Sequence, residues 1–181
     1  RILYDDIGCF MLLPPDYPKT LKTYGIECTV FNPFRPLLTI RQNNRDHRKI
    51  FVIDGKVAFT GGVNLADEYI NEIVRFGHWK DASVMIRGRA VASFTLMFLE
   101  MWSSANQTNE DYSEYLREPE SLPALAGGFV QPYADTPMDG EDVSEQVYLH
   151  IINSARRYLY ICTPYFIVDD SMVLALTRAA K

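Results

Sequence analysis

His47 and Lys49 stand two residues apart at the mouth of an apolar run, within NNRDHRKIFVIDGKVAFTGGVN from Asn43 to Asn64. On an extended strand residues i and i+2 share a face, so an imidazole and an ammonium would point the same way. Asp54-Gly55-Lys56 turns the chain and VAFT returns it, which predicts a β-hairpin. With the turn centred on Asp54-Gly55, His47 lies opposite Gly62 and Asn64 one pair beyond. Centred on Gly55-Lys56, it puts His47 opposite Asn64 itself. Either register brings Asn64 onto the face of His47 and Lys49, and parity leaves Asp54 in the turn or on the other face. An imidazole, an ammonium and an amide that converge suit an anion with a reactive centre. A phosphate diester fits: Lys49 and Asn64 donate to its oxygens while His47 attacks phosphorus. Gly61 and Gly62 carry no side chains and let their backbone approach a ligand closely. A helix starting at Asn64, with that residue as N-cap, adds favourable potential for phosphate.

Each residue also has a plainer reading. A lone histidine at a strand end is usually a hydrogen-bonded surface or core group, and a lone lysine a solvated charge. Asn64 alone is an N-cap, and Gly61-Gly62 alone a bulge or turn. Their joint spacing is what favours chemistry.

The elements that must position these residues read as alternating strands and helices, the pattern of an α/β fold with a parallel or mixed sheet. Ile2 to Tyr4 is a short strand with Asp5, Asp6 and Gly8 at its carboxyl end, residues 17–24 a short helix, and Gly25 to Phe31 the next strand. Pro33 and Pro36 then interrupt regular structure. KIFVI is a continuous apolar run, the pattern of a strand buried on both faces. Asn64 to about Val74 has a helical start, SVMIRG is a strand, and Arg89 to Ser103 a strongly apolar helix. Met97, Met101 and Trp102 in that helix read as core packing rather than a lipid groove. The polar stretch 104–128 reads as a linker or excursion, which divides the chain into units 1–128 and 129–181. In the second unit FVQPY and YLYICTPYF read as strands, SEQVYLHIINSA and the residues from Asp170 as helices. His150 falls in the first of those helices as a core residue. It and His78 are weak candidates for chemistry.

The 181 residues suffice for one domain and part of another, and a formal charge of −5 argues against a general nucleic-acid binder. Arg41, Arg45, Arg48 and Lys49 nonetheless crowd the quoted stretch, opposed there by Asp46. Cys9, Cys28 and Cys162 show no metal-ligand spacing and read as reduced thiols of a cytosolic face. No apolar run approaches the length of a membrane span. The chain opens directly on an apolar strand and closes inside a helical pattern, so it reads as part of a longer protein.

The spacing H-x-K-x(4)-D-x(6)-G-G-x-N is met in full by His47, Lys49, Asp54, Gly61, Gly62 and Asn64. It resembles the HKD motif of the phospholipase D superfamily. LYDDIG, DHRK, GGVNLADEY, GHWKDASVMIRG and TPYFIVDDS, in that order, resemble segments of its bacterial cardiolipin synthase branch. The resemblance implies the α/β sandwich of that superfamily, a mixed sheet flanked by helices, here with the second half incomplete. It implies two HKD motifs meeting at one site, one histidine forming a phosphatidyl-histidine intermediate and the other protonating the leaving alcohol. Two phosphatidylglycerol molecules then give cardiolipin and glycerol, without metal or organic cofactor. Carried over, His47 is the nucleophile, Lys49 and Asn64 bind phosphate oxygens with Gly62, and Asp81 of HWKD orients the histidine. Asp54 and Gly61 are structural members of the motif, and Asp5 and Asp6 stay outside the catalytic set. The implied partners are phosphatidylglycerol, an anionic membrane surface and the missing second HKD half of the same chain, with no nucleic acid. The implied place of the parent is the cytoplasmic face of the cell membrane, with this piece alone soluble or peripheral. The rivals are a phosphodiester hydrolase of the same superfamily, lipase or nuclease, and a non-catalytic phosphate or lipid-head-group module. Only one full motif is present, so the isolated chain is expected to be inactive.

Overall fold

The computed structural model describes residues 1–9, 12–34, 44–75, 77–116, 128–136, 140–163 and 165–181. Arg41, Pro36, Pro164 and residues 117–127 of the expected linker lie outside the described residues. The chain divides into two compact units, Arg1–Pro132 and Tyr133–Lys181.

The first unit opens with a β-α-β segment: strand β1 (Ile2–Asp5), the single turn α1 (Asp6–Cys9), helix α2 (Tyr17–Thr23) and strand β2 (Cys28–Phe31). α2 begins with a proline in its first turn, where the missing N–H costs nothing, and β1 and β2 pair in parallel. Three further strands form an antiparallel sheet, β3 (Ile50–Ile53), β4 (Val57–Gly61) and β5 (Ser83–Arg87), in the order β3-β4-β5. Helix α3 (Val91–Asn106) packs against β2, β3 and β4, and so belongs to both sheets at once.

The spacing of its apolar residues explains this: Val91, Phe94, Leu99 and Trp102 fall on one stripe and are all buried. Val91 and Phe94 form the core with Ala58, against Ile50, Val52, Ile86 and Met97. Full burial of side chains this size is worth about 1.5–3 kcal/mol each. Met97 and Trp102 are packing residues, as their spacing indicates. The helix ends on Gln107 in the left-handed region, whose amide caps the Ser103 and Ser104 carbonyls. Parallel and antiparallel strands flanked by helices make this an α/β fold of the expected kind, with the mixture divided between two sheets.

Several expectations need correction. The hairpin register is neither of the two considered. Ile53 pairs with Val57 and Ile50 with Thr60, so three residues, Asp54 to Lys56, lie in the loop. Asp54 (φ 53°) and Gly55 (φ 64°) both take left-handed conformations, and the Lys56 amide closes on the Ile53 carbonyl. Lys56 is the extra residue, and one residue reverses the facing of every partner. KIFVI is buried on one face only: Ile50 and Val52 turn to α3, whereas Phe51 and Ile53 are 53% and 44% exposed. A continuous apolar run does not distinguish these cases. The helical start at Asn64 is a single 3₁₀ turn, Asp67–Ile70, capped in position by Ala66.

In the second unit, α4 (Val143–Ser154) and α5 (Asp170–Ala179) pack together. The Asp169 carboxylate caps α5 by accepting from the Met172 amide at 2.8 Å. Neither FVQPY nor YLYICTPYF forms a strand among the described residues. Strand-like composition needs a neighbouring ladder, and Tyr158, Tyr160 and Phe166 are exposed instead. His150 is exposed on α4, not a core residue.

Candidate active site

The approach to His47 is irregular backbone, residues 44–49, tied down by side chains rather than by a ladder. Asp5, at the end of β1, does most of this. Its carboxylate accepts from the Asp46 amide (3.1 Å), the Gly8 amide (3.2 Å) and Arg45 Nη1 (3.3 Å). Arg45 also donates to the Asn32 carbonyl (2.6 Å), and Asn32 Nδ2 to the Asn44 carbonyl (2.9 Å). Arg48 grips Asp46 through two bonds, Nε to Oδ1 (2.9 Å) and Nη2 to Oδ2 (3.0 Å). The parallel pair thus reaches across some forty positions to fix where the chain enters the motif. The motif spacing leaves Asp5 outside the site. It holds the backbone that leads into His47, and only its place at a strand's carboxyl end pointed to it.

The opposite side rests on the antiparallel ladder. Gly61 pairs with Ser83, and the Gly62 amide continues to the Ala82 carbonyl at 3.1 Å. A Cβ on Gly61 would stand 2.6 Å from Ser83 Cα, and one on Gly62 would stand 2.9 Å from the Asp81 carboxyl carbon. A side chain at Gly61 would thus collide with the backbone that starts β5, and one at Gly62 would displace the Asp81 carboxylate. Gly62 is what lets the Asp81 carboxylate lie against the backbone. That carboxylate accepts from the Ala82 amide at 2.7 Å and from Trp79 Nε1 at 3.2 Å.

Lys49 stands between these sides. Its Nζ donates to the His47 carbonyl at 2.7 Å. Burial pushes its pKa below the usual lysine range, while Asp46 and Asp81 act in the opposite direction. The local positive charge read from the sequence is thus largely answered: Arg45 by Asp5, Arg48 by Asp46, and Lys49 by the nearby carboxylates.

The structure brings Lys49 to His47 and sets Gly62 against Asp81. His47 itself is exposed, and its imidazole has no hydrogen-bond partner among the described residues. Asn64 is half-buried, its carboxamide likewise unpartnered among the described residues, and it caps no helix. Since the ladder stops at Ile50 and Gly61, strand register does not align Asn64 with His47. Asp54 lies in the turn, and His78 is exposed. Among the described residues no group of three or more His, Cys, Asp or Glu is placed to hold a metal ion. Nor, among them, is any helix long and apolar enough to cross a membrane.

No protein-family model and no solved structure matches the chain. Curated sequences do. The chain is 52% identical to an uncharacterized protein of Streptococcus mutans serotype c, over 100% of this chain and 39% of that protein. It is 39% identical to the cardiolipin synthase of Geobacillus thermodenitrificans, over 99% of this chain and 36% of that protein. It is 40% identical to cardiolipin synthase 2 of Bacillus cereus, over 99% of this chain and 35% of that protein. The chain thus spans somewhat over a third of the length of the relatives it matches. With the full His47–Asn64 spacing in its sequence and these relatives along nearly its whole length, the chain belongs to the phospholipase D superfamily, in the cardiolipin synthase family.

Proposed function

We propose that this chain supplies the nucleophilic half of a phosphatidyltransferase that joins two phosphatidylglycerol molecules into cardiolipin. A nitrogen of His47 attacks the phosphorus of the first lipid, and the bond from phosphorus to the terminal glycerol oxygen breaks. The departing oxygen takes a proton from a general acid on a second HKD half, and glycerol leaves. A hydroxyl of the second phosphatidylglycerol then attacks phosphorus and gives its proton to that same group, now a base; the P–N bond breaks, and both His47 and the general acid are regenerated. Lys49 and Asn64 donate to the phosphate oxygens, and Asp81 orients the imidazole and stabilises its charged form.

The observation that carries this reading is the Lys49 ammonium drawn to the His47 main chain within the full motif spacing. Burial makes that ammonium costly even beside Asp46 and Asp81, and an arriving phosphate adds further opposite charge. The second half begins near residue 129 and is completed by further sequence of the same polypeptide, at the cytoplasmic face of the membrane. The general acid is worth roughly 10²–10⁴ in rate. The 181-residue chain by itself is therefore expected to show no turnover.

The test places the longest natural polypeptide carrying this sequence in phosphatidylglycerol bilayers and identifies products by mass spectrometry. Cardiolipin and glycerol appearing together, and disappearing in His47→Asn, support the proposal. Phosphatidic acid without cardiolipin makes water the acceptor and the protein a hydrolase. Lipid binding unchanged by His47→Asn, with no product from either protein, makes it a binding module.

A further inference from the structure

Trp79 does more than precede the site carboxylate. Its indole N–H donates to Asp81 Oδ2 at 3.2 Å while the Ala82 amide donates to Oδ1 at 2.7 Å, so one donor holds each oxygen. The indole is in turn held from behind. Asn71 lies in the left-handed region (φ 63°), and its carboxamide closes both main-chain groups of Trp79. Asn71 Oδ1 accepts from the Trp79 amide at 2.6 Å, and Nδ2 donates to the Trp79 carbonyl at 2.9 Å. The Tyr69 ring stands edge-on to the indole, centroids 4.9 Å apart. Trp79 precedes β5, which begins at Ser83, so a carboxamide does here what a neighbouring strand would do within a ladder.

We infer that Asn71 and Trp79 are positioning residues that fix the orientation of the Asp81 carboxylate against Gly62. The inference rests on the reading of His47 as nucleophile and deepens it. A carboxylate has about four acceptor positions on two oxygens. The indole and the amide take one on each, leaving the others for a further donor such as an imidazole N–H. The terminal carboxylate torsion is intrinsically broad. Without the indole donor, Oδ2 is released, and the orientation that suits the imidazole is held for a smaller fraction of the time. A tether serving only the loop would leave the chemical step untouched.

Two measurements separate these roles. The first follows the indole N–H resonances of the 181-residue chain, which has two tryptophans, so Trp79→Phe assigns the signal by its loss. That signal is expected to move in Asp81→Asn and to move in the same direction in Asn71→Ala. The second measures turnover of the longest natural polypeptide on phosphatidylglycerol bilayers. Trp79→Phe is expected to lower kcat about tenfold, the value of one charge-assisted hydrogen bond, with KM within about twofold. Tyr69→Phe, which keeps the ring, leaves kcat unchanged. An indole signal indifferent to Asp81→Asn overturns the inference. So does a normal kcat in Trp79→Phe beside a dead His47→Asn, which leaves the reading of His47 standing. Turnover surviving in His47→Asn removes that reading and the positioning role together.

Discussion

The two sides of the candidate site are held by different forces. Asp81 and Gly62 stand at the end of a backbone ladder, where β4 and β5 pair without interruption into the Gly62 amide. His47 sits on irregular chain that, among the described residues, side chains restrain through Asp5, Arg45, Asp46 and Asn32. A ladder fixes a position through many weak, mutually supporting bonds. A side-chain net depends on a few charged ones, and loses more when any is removed. The Asp81 side is thus a fixed platform, and the His47 side the part whose placement is open to adjustment.

The largest expected effect is at Lys49, which faces both sides. Lys49→Met should lower turnover by about 10²–10³, the loss seen when one donor to a developing oxyanion is removed. The same change should raise stability slightly, because it removes a partly buried charge. The pH dependence has the same sign. A lysine whose folded pKa lies below its unfolded value costs stability while charged in the fold, and that cost fades as pH rises through the lowered pKa. Urea midpoints of wild type and Lys49→Met should therefore converge toward high pH, with the variant ahead below it.

Gly62→Ala tests the platform. Its Cβ would displace the Asp81 carboxylate, and a shift of about 1 Å there should cost about 10²-fold in turnover. Hydrogen exchange on the His47 side should not change. Asp5→Ala tests the net: about 1–3 kcal/mol of stability lost, with faster exchange at the Asp46 amide and little change along β4 and β5. If exchange in that variant rises equally on both sides, the contrast drawn between them fails. Asp54→Asn should do least. Asn accepts the left-handed turn conformation as Asp does, so stability should stay within about 0.5 kcal/mol and activity be retained. A large loss of activity there would give Asp54 a role beyond the turn.

Much of this was legible in the sequence, and what was not has physical causes. The apolar stripe of α3 and the strands β3, β4 and β5 follow from local pattern, and the motif residues from their spacing. The hairpin register was not legible, because Asp54-Gly55 closes a turn that leaves Lys56 over, and a single residue decides which face each side chain takes. FVQPY and YLYICTPYF have strand composition, yet a strand exists only through its partner. The ties from Asp5 to Asp46 and from Asn71 to Trp79 join residues whose separation carries no periodic signal. Spacing named Asp81 by resemblance alone. Its dependence on Gly62 emerges only when the missing Cβ is placed in space.

The proposed reaction turns on one bond, between a nitrogen of His47 and phosphorus. The direct measurement mixes the longest natural polypeptide with phosphatidylglycerol, quenches in base within one turnover, and maps adducts by mass spectrometry. A phosphatidyl group on the peptide containing His47, absent in His47→Asn and decaying as cardiolipin forms, is the predicted result. Cardiolipin formed at full rate with no adduct at His47, or with the adduct on another residue, would contradict it.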